Sequence, residues 1–307
     1  MRSLKRILAG LLCCGALLLG GCGAATGSQP QTGGEGASSL EADMPDQPAL
    51  AVTSVAICEI LDELDYDNVI GIPETSSQLP ERYAGVNTIG APMTPDYEIL
   101  KSLEPDLVLS PQTLESSLAA DYTAAGLSSA FLDLSSVAGM YQAITSLGEL
   151  LDRQQQAQTL VDDYESYMAD YQAANGEEGP SVLLLMCFPD GFYLVATEQS
   201  YVGNLVELAG GVNVYSGYEG DQSGFATINP EDMVQKDPDK ILVFAHYSEE
   251  AAFAYMEDEF ETNPAWQYYQ AVEDGEIYYL PSSCFGMSAT LSWTEALDYL
   301  QPVLYGG

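Results

Sequence analysis

Two side chains able to bind a metal accompany, one each, the two copies of a unit that this sequence uses twice. The first copy is Ile89-Gly-Ala-Pro-Met-Thr-Pro-Asp-Tyr-Glu-Ile-Leu-Lys-Ser-Leu-Glu-Pro-Asp-Leu-Val-Leu-Ser110. It reads as a loop, a two-turn helix, a Glu-Pro-Asp break and a buried strand. The second copy is Ile228-Asn-Pro-Glu-Asp-Met-Val-Gln-Lys-Asp-Pro-Asp-Lys-Ile-Leu-Val-Phe-Ala245. Glu98 stands seven residues before Pro105-Asp106, and Glu231 stands seven before Pro238-Asp239. Met93 lies just ahead of the first helix, and His246, the single histidine of the chain, directly follows the second strand. Alone, Met93 is a gap-filling apolar side chain and His246 a surface or core-edge histidine. Their repeat-related placement makes them a candidate thioether–imidazole pair. One histidine cannot build the His/carboxylate cluster that bare zinc or manganese needs.

Such a pair needs elements to hold it. Pro95 presets φ for a helix start, Asp96 falls in the first turn, and Ile99, Leu100 and Leu103 form one apolar stripe before Pro105 stops the helix. Short apolar runs at Leu50–Val52, Val69–Ile72, Leu107–Leu109 and Ala130–Leu134 alternate with helical patterns. That alternation predicts an N-terminal α/β lobe over residues 49–136 with a mostly parallel sheet. Residues 137–176 read as helices broken near Leu151-Asp152-Arg153, the second running from about Gln154 to Ala174. At 1.5 Å per residue it spans roughly 30 Å, enough to bridge two lobes. Residues 177–307 repeat the α/β rhythm as a C-terminal lobe. The expected fold class is α/β, with two Rossmann-like lobes joined by one long α-helix.

The ends and the charge limit where such a chain works. Residues 1–21 carry Arg2, Lys5 and Arg6 ahead of an apolar run from Ile7 to Leu19, the plan of a signal peptide. Leu19-Gly20-Gly21-Cys22 resembles the lipobox of bacterial lipoproteins, which implies cleavage before Cys22 and lipidation there. Residues 22–48 then form a flexible linker. Cleavage removes three of eight basic residues and no acidic one, leaving five against 46 and a formal charge of −41. Such a surface excludes nucleic acid as a partner and favours solubility outside the cell. Cys58, Cys187 and Cys284 lack metal-ligand spacing and are expected as buried free thiols.

The body resembles ABC-transporter substrate-binding proteins with a single long interdomain helix, which take siderophores, cobalamin or heme. Within that class it most resembles the heme-receptor lipoproteins of the Gram-positive iron-regulated surface determinant system. The motifs that carry the resemblance are Leu79-Pro-Glu-Arg-Tyr83, Gly90-Ala-Pro-Met-Thr-Pro-Asp96 and Ala196-Thr-Glu-Gln-Ser-Tyr201, followed by Leu208-Ala-Gly-Gly-Val-Asn213, Ala245-His246 and Phe285-Gly286. It implies heme b carried between the lobes, with iron held by Met93 and His246. A planar macrocycle in a cleft takes one axial ligand from each side, and Met/His is a known heme ligation. Tyrosinate from Tyr201 or Tyr247 is the alternative iron ligand. For the propionates the candidates are Arg82, Ser54 and Val55 at a helix start, Thr75 and Ser76 in a loop, and Tyr201; Arg82 could equally pair with surface acids. In the wider class one glutamate per lobe docks the permease, which implies Glu98 and Glu231. The implied partners are an ABC permease with its ATPase and surface heme-relay proteins. The implied setting is a monomer tethered by lipid to the extracellular face of the cell membrane, or in the periplasm if an outer membrane is present.

The same fold could hold cobalamin in a cleft lined by aromatics such as Trp293. Anionic siderophores would want several basic side chains, which this chain lacks. An exported enzyme is the rival of another class. No Ser-His-Asp motif, phosphate-binding glycine loop or paired-histidine motif is present, and an enzyme is not expected.

Overall fold

Alternate residues of the long strands pack into different hydrophobic clusters, and this two-sided burial dictates the layers. In the computed structural model, which describes residues 44–174, 179–218, 224–228 and 233–306, the chain forms two α/β lobes. The signal segment, Cys22, nearly all of the linker, the Asn229-Pro230 helix start and Glu231 lie outside the described residues.

The first lobe runs β1 (Leu50–Val52), α1 (Val55–Glu63), β2 (Val69–Ile72), β3 (Asn87–Thr88), β4 (Gly90–Ala91), β5 (Thr94–Pro95), α2 (Tyr97–Leu103), β6 (Leu107–Pro111), α3 (Glu115–Ala125) and β7 (Ser129–Leu132). Its main sheet has the order β3-β2-β1-β6-β7 and is parallel throughout. Then come α4 (Val137–Leu150) and α5 (Gln154–Ala174). They are parted at Asp152, whose φ of 58° breaks the helical ladder. The second lobe runs β8 (Ser181–Phe188), β9 (Phe192–Ala196), α6 (Tyr201–Leu208), β10 (Val212–Asn213), β11 (Phe225–Ala226), β12 (Lys240–Ala245), α7 (Glu249–Thr262), α8 (Gln270–Glu273), β13 (Ile277–Leu280) and α9 (Trp293–Tyr305). Its sheet has the order β11-β9-β8-β12-β13 with β10 also on β8, and β9 runs antiparallel to both β8 and β11.

Val182, Leu184 and Met186 of β8 point into a cluster that also takes Leu242 and Phe244 of β12, α4, α5, α9 and the inner face of the first sheet. Leu183, Leu185 and Cys187 point the other way, with Trp266, Tyr269 and the buried side of α7. The period of two along each strand produces this division. Helix α5 ties the lobes together: Tyr164 stacks on Tyr141 of α4 at 4.3 Å, while Tyr164 and Tyr167 meet the edge of Trp293 of α9. Trp293 Nε1 donates to the Tyr141 hydroxyl at 3.1 Å. Trp293 is thus part of the interlobe packing, 2% exposed, and not a cleft wall.

The repeated unit is visible in the backbone. Glu104 and Asp237, each directly before the Pro-Asp pair, have φ of 50° and 39°. Each following aspartate then clasps the neighbouring strand: Asp106 Oδ2 accepts from Ala49 N at 2.7 Å, and Asp239 Oδ2 accepts from Ser181 N at 2.8 Å. The repeat therefore closes the N-terminal end of each sheet.

The sequence expectations need three corrections here. Pro95 lies in β5 and Asp96 is the N-cap of α2, accepting from Glu98 N and Ile99 N at 2.9 and 3.0 Å. Ile99 is exposed, so only Leu100 of its stripe is buried. Cys58 and Cys187 are buried free thiols, each pushed up to about 12 by burial, whereas Cys284 is partly exposed. Among the described residues no helix is long and apolar enough to cross a membrane.

Candidate functional site

Met93 sits at the tip of a hairpin that its own sequence stiffens. Gly90 pairs with Pro95 and Ala91 with Thr94, leaving Pro92 and Met93 as the turn. Gly90 has φ 91°, and a Cβ there would lie 2.9 Å from Asp96 N and 3.0 Å from Thr94 O, so glycine is required. Glu74 N donates to Gly90 O and Ile89 N to Ile72 O. These bonds place the hairpin at the C-terminal end of the first sheet, where α/β folds bind ligands. The Met93 side chain is 55% exposed.

His246 follows the end of β12, the matching end of the second sheet. Its N–H donates to Cys187 O at 2.8 Å, continuing the β12–β8 ladder by one bond. The imidazole is half-buried against aromatic rings, edge-on to Phe188 with centroids 5.2 Å apart and 4.0 Å from Tyr247. Burial holds its pKa below the ordinary imidazole value. Among the described residues no hydrogen-bond partner reaches the ring. A neutral imidazole with a free lone pair is the form that binds metal.

The two elements meet through the next residue. Tyr247 OH donates to the Met93 sulfur at 3.4 Å, joining the hairpin of one lobe to the strand end of the other. Tyr247 and Ser248 have φ of 63° and 31°, two successive left-handed residues without a glycine. Phe192, tilted against Phe188 at 5.6 Å and 43% exposed, extends the aromatic surface beside His246. Among the described residues no group of three His, Cys, Asp or Glu side chains could hold a bare metal ion. The donor set suits a metal that brings its own equatorial ligands.

Ser54 and Val55 are where β1 turns into α1, at the same end of the first sheet. Ser54 is the N-cap, and no side chain caps the helix, so its first-turn N–H groups lack a side-chain acceptor. Beneath them Thr53 Oγ1 donates to Ser110 Oγ at 2.9 Å, which lies 3.1 Å from Tyr122 OH, a fully buried hydroxyl chain. Thr75 and Ser76 are exposed in the loop after β2, with Thr75 Oγ1 accepting from Ser77 N. Glu98 is exposed on the first turn of α2.

Two candidates are not brought to this end. Arg82 contacts Asp62 at 2.6 Å, Asp65 at 2.9 Å and Asp67 at 3.5 Å, around the C-terminal end of α1. That is the opposite edge of the sheet, because α1 returns the chain from the C-terminal end of β1 to the start of β2. Tyr201 is 1% exposed inside the shared core, and burial pushes its hydroxyl pKa up, which disfavours a tyrosinate ligand. Sequence reasoning missed Phe188 and Phe192. Their spacing across Pro189-Asp190-Gly191 is a hairpin signal that would have placed them beside the end of β12.

Comparison with known proteins places the fold and the family. The periplasmic binding protein family matches residues 50–284. The high-affinity heme uptake system protein IsdE of Staphylococcus aureus MRSA252 is 34% identical over 273 residues, covering 88% of this chain and 92% of its own. Among solved structures, an ABC transporter substrate-binding protein from Listeria monocytogenes EGD-e superposes with TM-score 0.78 at 39% identity, over 85% of this chain and all of that one. S. aureus IsdE complexed with heme superposes with TM-score 0.78 at 33% identity, over 84% and 99%.

Proposed function

Because the chain belongs to the periplasmic binding protein family, we propose that it is the heme receptor of an ABC importer. Heme b enters the cleft between the lobes, and its iron takes the Met93 sulfur on one side and the His246 imidazole on the other. The observation that carries this reading is the 3.4 Å contact from Tyr247 to Met93, which brings the residue after His246 against the opposite candidate ligand. Support comes also from relatives named for heme uptake and solved with heme.

A Met/His pair gives iron one soft and one borderline neutral donor, which favours the ferrous state relative to harder ligands. Phe188, Phe192 and Tyr247 offer the apolar, aromatic surface that a porphyrin covers. The propionates find hydroxyl and N–H donors at Ser54 and Val55 and in the Thr75-Ser76 loop, where the uncapped start of α1 favours an anion. Arg82 and Tyr201 are left out of the site, since the aspartates hold one and the core holds the other.

In this reading the protein is a binding protein without catalysis. Lipid on Cys22 tethers a monomer to the extracellular face of the membrane, or on the periplasmic side in a cell with an outer membrane. Surface relay proteins supply heme, and Glu98 with Glu231 docks the permease and its ATPase. The lobes move little on binding, because the α4–α5–α9 aromatic packing ties them. The test is to purify the chain from heme-replete cells and identify what it carries. Heme b extracted at one per chain supports the reading; cobalamin or an iron chelate in its place replaces it.

A further inference from the structure

We propose that Tyr247 is a positioning residue that holds the Met93 sulfur facing His246 before any ligand arrives; this rests on the reading of Met93 and His246 as the ligand pair. Met93 sits on a hairpin whose strands are two residues each and is more than half exposed. A free methionine there would sample many rotamers, and fixing one on binding would cost affinity. The Tyr247 hydroxyl donates to the sulfur at 3.4 Å. A thioether sulfur has two lone pairs, so one can accept this hydrogen bond while the other faces the cleft. The same tyrosine lies 4.0 Å from the imidazole, centroid to centroid, so one side chain sets the spacing of both.

The backbone adds a separate observation. Tyr247 and Ser248 adopt φ of 63° and 31°, a conformation that disfavours any residue with a Cβ. Neither is glycine, although the turn into α7 would form more easily with one. Tyr247 thus sits at a backbone cost, and the residue is 64% exposed, so core packing does not explain its identity. Its described contacts are the imidazole and the sulfur.

The experiment uses the full-length protein in detergent with methyl-labelled methionine, Met93→Ala assigning the resonance. In the ligand-free state, Tyr247→Phe should move and narrow the Met93 methyl signal while leaving the other methionine signals in place. In hemin titrations Tyr247→Phe should bind about two- to tenfold more weakly, the range of one net hydrogen bond, and should add nothing in a Met93→Ala background. An unmoved Met93 signal, or an equal loss in both backgrounds, overturns the proposal. The NMR arm needs no heme. A parent protein that takes up no hemin therefore defeats the heme reading, and the methyl signal still decides the positioning role.

Discussion

The hydroxyl of Tyr247 stands 3.4 Å from the sulfur of Met93, and the two residues belong to different lobes. Met93 is carried by a hairpin beside the first sheet, and Tyr247 follows β12 of the second. Trp293 of the last helix also packs edge-on against Tyr141, Tyr164 and Tyr167 where the helices tie the lobes together.

The hairpin makes the first prediction. A side chain at Gly90 would meet backbone at 2.9–3.0 Å in a left-handed conformation. Gly90→Val should destabilise the fold by about 1–3 kcal/mol in urea titration and weaken hemin binding by displacing Met93. Unchanged binding would mean that the hairpin does not set the site.

Backbone strain gives the second. Tyr247→Gly relieves a left-handed residue, a gain of order 1 kcal/mol after the entropy that glycine adds to the unfolded chain. Thermal unfolding should shift upward while hemin affinity falls. A loss of both would assign Tyr247 to the fold and not to the site.

Arg82 supplies a negative control. Three aspartates surround it at the far edge of the first sheet, with Asp65 and Asp67 well exposed. Arg82→Ala should cost at most about 1 kcal/mol of stability and leave the hemin titration unchanged. A large loss of affinity would return Arg82 to the propionates.

Asp239 supplies a pH dependence. Hydrogen bonds from the Ser181 hydroxyl and N–H hold its carboxyl below the usual aspartate value. The unfolded chain then binds the proton more tightly, so this contribution is complete above the unfolded pKa of about 3.9 and is lost as pH falls below it. Asp239→Asn should cost about 1 kcal/mol near neutrality and less at pH 3. An equal cost at both pH values would show that the charge is not what clasps β8.

Much of the fold was legible because its strands are apolar runs: β1 and β2 fall where Leu50–Val52 and Val69–Ile72 place them, and β6 contains Leu107–Leu109. The Glu-Pro-Asp spacing marked the repeat, although its role at the sheet ends appears only when Asp106 and Asp239 are seen against Ala49 and Ser181. The hairpin around Met93 was not legible, since two-residue strands containing proline carry no periodicity. Nor was the fate of Arg82. The loop shows one cation, and only the fold turns Asp62, Asp65 and Asp67 toward it. Met93 and His246 stood out by residue type, but the contact that links their lobes depends on two left-handed residues no sequence pattern announces.

The most direct measurement is an absorbance titration of the purified protein with hemin, repeated on Met93→Ala and His246→Ala. A sharp Soret band saturating at one heme per chain is predicted. His246→Ala should weaken binding by at least the roughly 10- to 100-fold that loss of an outer-shell partner costs, and Met93→Ala by less, since the imidazole is the stronger ligand. A broad band that never saturates, or equal affinity in all three proteins, would contradict ligation of heme iron by this pair.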